Sequence, residues 1–174
     1  MNTNIKIDVQ RNELLSVETS WAGKITLKEL FASKQLIIIH FLRNFGCIYC
    51  HSLVDSLYAA IQQNPKLPPV AFVHLEDLET GKNFFKERFP GALHIADTEQ
   101  QLYQLFGIKK FSILSFLNFK MLWKGVVLFA KGYRPGAQIH PQILSGTFLV
   151  SNGSVIWGHQ ASYPGDDKLF PPKK

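Results

Sequence analysis

Apolar and polar positions follow their most regular pattern between residues 35 and 75. Residues 36–41 are a short apolar run rich in β-branched side chains, which predicts a buried strand. From residue 50 onward apolar side chains recur at helical spacing, and a proline-rich loop at 64–69 ends that pattern. Residues 70–75 form a second apolar run. The pattern therefore predicts a βαβ unit with an apolar strand on each side of the helix.

Weaker patterns predict further elements around this unit. Thr26 is predicted to cap a short helix just before the first strand. Periodicity and Gly or Pro breaks predict a helix, a strand and a helix at residues 79–89, 92–96 and 99–106. An Asn-Gly step at 152–153 separates two apolar segments and favours a β-hairpin. This is the element order of a thioredoxin-like fold, an α/β three-layer sandwich with a central mixed sheet and flanking helices.

An aromatic-rich segment, residues 111–131, lies outside that order. Lysines at its middle make it a poor candidate for a bilayer-spanning helix. Read as a helix, it places Lys120, Lys124 and Lys131 on one face and mostly apolar side chains around the rest. It is either a helix packed on the domain with its lysines in water, or a surface for a second subunit, another partner or a membrane interface.

Composition sets the broad class of the protein. The 174 residues are 46% hydrophobic and 18% charged, which excludes a disordered chain and supports one sizeable core. We expect a single domain over residues 1–174, with a core at about 35–160 and an inserted helix within about 108–140, before the final hairpin. The net charge is +6, but the chain has neither a run of basic residues nor a nucleic-acid recognition motif, so nucleic-acid binding is not expected. The N-terminus has no apolar run behind a basic start, so we expect no secretory signal and a cytoplasmic protein.

The two cysteines of the chain, Cys47 and Cys50, have the clearest chemistry. A Cys-x-x-Cys at the start of a helix that follows a strand is the thioredoxin-type redox arrangement. The first turn of a helix has unpaired N–H groups and a partial positive charge, so a thiolate there is stabilised and its pKa falls. We expect Cys47, at the solvent end of the turn, to attack, and Cys50, half buried, to be the resolving thiol.

Two other interpretations of the pair are a structural zinc site and an inert buried pair. A zinc site normally needs four ligands, whereas this chain has no second cysteine pair and its histidines are scattered. Free cysteines are often simple core residues. A redox role is favoured over both.

Neighbouring polar residues are candidates for supporting roles. Arg43, four residues before the first cysteine, would lower a thiol pKa or hold an anionic substrate group; alternatively it is a solvated loop arginine or part of a salt bridge. His51, directly after the second cysteine, would shuttle a proton or simply point outward. For His159 and Asp166 we expect surface roles.

Three segments, in order, resemble the peroxiredoxin-like 2 family of the thioredoxin-like superfamily. They are FLRNFGCIYC, IADTEQQLYQLFGI and ILSGTFLVSNGSVIWGHQASYPGD, within residues 35–167. The resemblance implies a thioredoxin-like fold with added elements and a thiol-dependent antioxidant or reductase activity without metal or organic cofactor. From the chemistry of a cysteine pair we expect a peroxide or disulfide substrate and an external thiol reductant. The resemblance also implies that Gly146 and Thr147 lie near the sulfurs, with a hydroxyl or backbone contact from Thr147.

One departure from the wider family leaves the order of attack open. Ordinary peroxiredoxins use Pro-x-x-x-Thr-x-x-Cys, and Cys47 stands at the Thr position relative to Cys50. If Cys50 were the peroxidatic residue, Cys47 would be its resolver.

These observations leave two main hypotheses of function. The first is a thiol–disulfide oxidoreductase of peroxiredoxin-like type. The second is a non-catalytic redox sensor whose 111–131 segment docks on a partner or a membrane. A structural metal domain is a third.

Overall fold

A seven-stranded mixed sheet forms the centre of the protein in a computed structural model that describes residues 15–32, 36–111 and 118–170. The strands are β1 (Ser16–Thr19), β2 (Gly23–Thr26), β3 (Leu36–Phe41), β4 (Val70–His74), β5 (Leu93–Ala96), β6 (Gly146–Ser151) and β7 (Ser154–Gln160). Their order across the sheet is β2-β1-β5-β4-β3-β6-β7. Strands β3, β4 and β5 are parallel, and the other pairings are antiparallel. The predicted βαβ unit is confirmed as the centre of this sheet.

Helices lie on both faces of the sheet. They are α1 (Leu27–Ala32), α2 (Ile48–Gln63), α3 (Leu78–Arg88), α4 (Gln101–Leu105) and α5 (Phe119–Ala130). Strand β3 shows how the two faces separate, since successive side chains of a strand point to opposite sides. Ile37, Ile39 and Phe41 pack with residues of α1 and α4, whereas Ile38 and Leu42 pack with α2 and α3. From Ile37 onward both faces of β3 are therefore buried and mostly apolar, as the apolar run predicted, with His40 as the polar side chain of the strand, and the architecture is three-layered.

Local capping signals explain where the helices begin. Thr26 Oγ1 accepts the N–H of Glu29 at 3.2 Å, and the Glu29 carboxylate accepts the N–H of Thr26 at 2.7 Å, so the predicted cap is confirmed. The predicted helix at 99–106 begins later, at Gln101, because Gln100 adopts a left-handed conformation with φ 61°. The carboxylate of Asp97 accepts the first N–H groups of that helix instead.

The predicted hairpin is confirmed as β6–β7. Asn152 and Gly153 have φ values of 47° and 75°, the positive values that a type I′ turn requires at both central residues. The hairpin aligns β6 against β3, with Gly146 opposite Phe41 and Thr147 opposite His40.

Helix α5 differs from the sequence-based interpretation of a packed helix with lysines in water. Residues 112–117 of that segment lie outside the described residues, and α5 accounts for most of the remainder. Lys120 and Lys131 are exposed as expected, but Lys124 faces the protein and donates from Nζ to the Gly165 carbonyl at 2.6 Å. The apolar side chains of α5 are mostly in solvent instead. Among the described helices, none combines the length and apolar character needed to cross a membrane.

Three buried histidines in the sheet make its stability sensitive to acid. His40 Nδ1 is hydrogen-bonded to Thr147 Oγ1 at 2.8 Å, and His74 Nε2 to His94 Nδ1 at 2.9 Å. Burial lowers the pKa of His40 and His74 to about 3 and the pKa of His94 to about 4. In the unfolded chain each imidazole binds a proton as the pH falls below about 6.5, whereas the folded protein does not. Stability is therefore complete above that pH and is lost as the pH falls toward the folded pKa values.

We expect the free energy of unfolding to be lower at about pH 5 than at about pH 7.5, by at least about 2 kcal/mol. Urea unfolding at the two pH values measures this difference. The variant His94→Gln removes one of the three buried imidazoles and should make the difference in free energy of unfolding between the two pH values smaller. The variant His140→Gln, at an exposed loop position, should leave that difference unchanged. Equal free energies of unfolding of the parent protein at the two pH values would contradict the prediction.

Candidate active site

Both cysteines lie where β3 leads into α2. Cys47 is the N-cap residue of α2, with extended backbone angles of φ −88° and ψ 117°, and Cys50 lies in the first helical turn. The two thiols are free. Only 2% of Cys47 and 4% of Cys50 are exposed. The expectation of a solvent-facing Cys47 and a half-buried Cys50 is therefore wrong, since the rest of the fold covers both.

The electrostatic environment favours a thiolate at Cys47. The Cys50 thiol donates a hydrogen bond to Cys47, which is the largest influence on its pKa. The charge of Arg43 and the N–H groups of Cys50 and Tyr49 act in the same direction, and burial opposes them. Together they lower the pKa of Cys47 to about 6. The pKa of Cys47 is therefore lowered, as the sequence predicted, but mainly by the partner thiol and then by Arg43, while the N–H groups of the helix N-terminus contribute least.

The environment of Cys50 has the opposite effect. Its pKa is raised well above the ordinary value because its thiol donates to Cys47, because it is buried, and because the Cys47 thiolate is negative. The pair therefore shares one proton near neutral pH, and that proton resides on Cys50. This difference in pKa between the two thiols fits an attacking Cys47 and a resolving Cys50.

Arg43 connects the cysteine turn to a distant part of the chain. Its Nη1 donates to the Cys47 sulfur at 3.0 Å, Nε donates to the Ile143 carbonyl at 2.9 Å and Nη2 to the Pro141 carbonyl at 2.7 Å. The side chain is buried, so the alternative of a solvated loop arginine is wrong, and these three donors go to two carbonyl groups and the sulfur rather than to a carboxylate in a salt bridge. The guanidinium holds the segment before β6 beside the thiol.

The segment that follows α5 also packs directly on the cysteine turn. Gly136 N–H donates to the Gly46 carbonyl at 3.0 Å. A Cβ atom on Gly46 would lie 2.0 Å from the carbonyl oxygen of Ala137, so only glycine allows this approach of the two backbones. Residues 136–143, which we call the cover segment, are held to the turn at this contact and through Arg43.

The variant Gly46→Ala is expected to push the cover segment away from the turn. The added methyl group meets backbone, so we expect a loss of about 1–3 kcal/mol in stability. We also expect faster alkylation of reduced Cys47 by iodoacetamide, followed by mass spectrometry. Gly136→Ala is the matched control, since its Cβ would meet the Gly46 Cα at 3.4 Å, an ordinary contact. Unchanged stability and alkylation in Gly46→Ala would show that the contact does not cover the thiol.

The other predicted site residues make contacts away from the sulfurs. His51 is buried rather than pointing outward; its Nε2 is hydrogen-bonded to the Phe45 carbonyl and its ring packs beside Phe84. The Thr147 hydroxyl is paired with His40. Gly146 lies at the start of β6, where a Cβ atom would be 2.6 Å from the side chain of Ile108.

His159 and Asp166 pair with each other rather than with the cysteines. His159 Nε2 lies 2.9 Å from the Asp166 carbonyl oxygen and 3.5 Å from Oδ1, and both side chains are partly exposed. They close the loop after β7, which is a structural role.

Two residues of the turn were missed by the sequence reasoning. Asn44 is buried, and neither polar atom of its side chain has a hydrogen-bond partner in the described structure. Tyr49, between the cysteines, donates its hydroxyl to the Met121 carbonyl at 2.8 Å and so joins α2 to α5. An asparagine between Arg43 and Phe45 is unusual in a buried apolar context, and this is the signal that could have identified it. Within the described ranges, no cluster of three or more His, Cys, Asp or Glu side chains is placed to hold a metal ion.

Sequence comparison finds distant relatives among curated proteins, and no protein-family profile matches the chain. The chain is 28% identical over 125 residues to "Prostamide/prostaglandin F synthase" of Danio rerio, a match that covers 71% of this chain and 60% of that protein. It is 26% identical over 153 residues to the protein of the same name from Xenopus laevis, covering 86% of this chain and 73% of that protein. The chain thus spans 60% of the length of the first relative. Both relatives are of the peroxiredoxin-like 2 type, so the resemblance drawn from the sequence segments is confirmed.

Structural comparison confirms the predicted thioredoxin-like fold. A structure of peroxiredoxin Q from Xanthomonas campestris matches with a TM-score of 0.60 and 17% identity, covering 86% of this chain and 82% of that chain. A putative thiol:disulfide interchange protein DsbE from Chlorobium tepidum matches with a TM-score of 0.51 and 15% identity, covering 87% and 83%. At these identities the likeness concerns the fold.

Proposed function

We propose that this chain, which resembles the peroxiredoxin-like 2 family in sequence, is a thiol-dependent oxidoreductase that acts on an O–O or S–S bond. Cys47 is the attacking thiolate and Cys50 the resolving thiol. The observation that carries the proposal is the placement of the Cys47 sulfur, 3.0 Å from Arg43 Nη1 and beside a Cys50 thiol whose pKa is raised. The thiolate is the reactive form of cysteine, and here it is favoured at one position of the pair only.

With a peroxide, the Cys47 thiolate attacks one oxygen of the O–O bond, which breaks. Cys47 becomes a sulfenic acid, and the other oxygen leaves as an alkoxide that takes up a proton. Cys50 then attacks the Cys47 sulfur, forming the Cys47–Cys50 disulfide and releasing water. Two electrons have passed from the thiols to the peroxide, and an external thiol reductant returns them.

With a disulfide substrate, the Cys47 thiolate attacks one sulfur and the other leaves as a thiolate. Cys50 then breaks the mixed disulfide and releases the second substrate sulfur. In both cases the first step consumes the negative charge on Cys47. The charge and hydrogen bond that raise the pKa of Cys50 disappear with it, so the resolving thiol becomes easier to deprotonate when it is needed.

The test is the rate at which fully reduced protein forms the Cys47–Cys50 disulfide with equimolar hydrogen peroxide, followed by alkylation and mass spectrometry. We expect completion within seconds. No disulfide after many minutes, in protein shown to be folded by circular dichroism, would contradict a peroxidase and leave disulfide exchange as the activity to assay.

A second candidate function is a redox sensor without turnover. The burial of Cys47 favours it, because only 2% of this residue is exposed and a substrate reaches the sulfur only after a local opening of the fold. Turnover in the presence of a recycling thiol distinguishes the two, since an enzyme consumes many equivalents of oxidant and a sensor consumes one. We also propose that the protein is cytoplasmic. Residues 111–131 would then form a contact with a second copy of the chain or with a membrane.

A further inference from the structure

Helix α5 presents an apolar face to solvent. Among the described residues, eight large apolar side chains are exposed, and five of them lie on this helix, between 52% and 77% exposed. They are Phe119, Leu122, Trp123, Val126 and Phe129. Single exposed apolar side chains are ordinary, but five on one helical face form a contiguous patch that marks an interaction surface.

The opposite face fixes α5 to the protein. Met121 and Leu128 are buried, the Met121 carbonyl accepts the hydroxyl of Tyr49, and Lys124 Nζ donates to the Gly165 carbonyl at 2.6 Å. The inward side therefore already has its partners within the domain, which leaves the apolar side as an outward surface.

The net positive charge of the chain arises from the stretch of sequence that contains this helix, and Asp167, just beyond that stretch, lies 3.9 Å from Lys124 Nζ. Residues 100–165 contain no Asp or Glu and six basic residues, while the rest of the chain contains thirteen of each sign (19 − 6 = 13 basic, 13 acidic), so the whole net charge of +6 arises here. The six are Lys109, Lys110, Lys120, Lys124, Lys131 and Arg134. Lys120 and Lys131 lie on one flank of the apolar face by their spacing, and the Arg134 guanidinium lies 4.0 Å from the centre of the Phe129 ring.

We propose that α5 docks on an anionic lipid surface, with Phe119, Trp123 and Val126 in the boundary of the acyl chains and Lys120 and Lys131 at the headgroups. Aromatic and aliphatic side chains on one face, bordered by lysines, are the features of helices that lie in the plane of a membrane interface. A second copy of the chain is disfavoured as the occupant, because an interface through α5 would bring the exposed Lys120 and Lys131 of both copies together.

This inference goes beyond the thiol chemistry and does not depend on it. The chain passes from α5 through residues 131–135 into the cover segment, so a docked helix would bring this segment and its contacts with Gly46 and Arg43 close to the lipid. The binding itself requires only the apolar face and its charges.

Co-sedimentation with vesicles tests the proposal. We expect the reduced full-length protein to pellet with phosphatidylcholine vesicles that contain phosphatidylserine, and much less with phosphatidylcholine alone or at high salt. The double variant Phe119→Ser, Trp123→Ser should weaken binding by about tenfold or more. Lys120→Gln together with Lys131→Gln should also weaken it by about tenfold or more.

Ile156→Ser is the matched control, since Ile156 is 58% exposed on β7, away from α5, and should bind as the parent protein does. Circular dichroism establishes that the variants are folded. The proposal is overturned if the parent protein does not pellet with the anionic vesicles, or if Ile156→Ser weakens binding as much as the α5 variant. It is also overturned if sedimentation velocity shows a dimer that the α5 variant dissociates, which would make a second copy the occupant.

Discussion

Replacing Cys47 with serine is expected to slow the reaction with hydrogen peroxide by about 10³-fold or more, whereas a protein with Cys50 replaced should still carry out the first step, at a lower rate. The serine hydroxyl has no thiolate form, so Cys47→Ser loses the nucleophile whose pKa the site lowers to about 6. In Cys50→Ser the thiolate still attacks once, and its sulfenic acid persists because the resolving thiol is missing.

Stopped-flow peroxide consumption and trapping of the sulfenic acid with dimedone separate these outcomes. Cys50→Ser should consume one equivalent of peroxide and carry the dimedone adduct on Cys47. It should not cycle with a thiol reductant. The reverse result, an adduct on Cys50 in Cys47→Ser and no reaction in Cys50→Ser, would make Cys50 the peroxidatic residue. The rate in Cys50→Ser will be affected to some extent, because Cys50 itself donates the hydrogen bond that lowers the pKa of Cys47.

Arg43→Met is expected to have the second-largest effect, on the pH at which Cys47 reacts. The hydrogen bond from Cys50 lowers the pKa of Cys47 most and the charge of Arg43 lowers it further, so removal of that charge raises the pKa part of the way toward the ordinary value of about 8.5. Near pH 6 the thiolate fraction, and with it the alkylation rate, should fall by about tenfold. Above about pH 9 the parent and the variant should react alike, since the thiol is then ionised in both. The measurement is the iodoacetamide rate of reduced protein as a function of pH.

Arg43→Lys separates the two roles of the arginine. Lysine keeps the positive charge but not the fork of donors that reaches both Pro141 and Ile143. We expect a pKa of Cys47 that stays low, together with a loss of about 2–4 kcal/mol in stability from the two unpaired carbonyl groups. A pH profile of Arg43→Met that coincides with that of the parent protein would mean that the guanidinium does not influence the thiol.

The elements that were predicted correctly from the sequence are those whose conformation is set by residues that are neighbours in the chain. Three signals each act over a few residues, and each predicted its element at the correct place. They are the β-branched run of β3, the helical spacing after Cys50 and the Asn152-Gly153 turn. The start of α4 was misplaced by a local event, the left-handed Gln100, since Asp97 caps the helix from outside its first turn.

The sequence by itself determined the chemistry of this protein: a cysteine pair at the start of a helix, an arginine four residues away and a basic, aromatic-rich segment. The tertiary structure alone decided how these groups are used. The carbonyls of Pro141 and Ile143 come from 98 and 100 residues away to hold Arg43, and the contact of Gly136 with Gly46 likewise joins distant parts of the chain. The outward orientation of the α5 apolar face was likewise decided by tertiary contacts, through Tyr49 and Gly165. Burial and orientation depend on which distant segments meet, and periodicity along a chain carries no information about that.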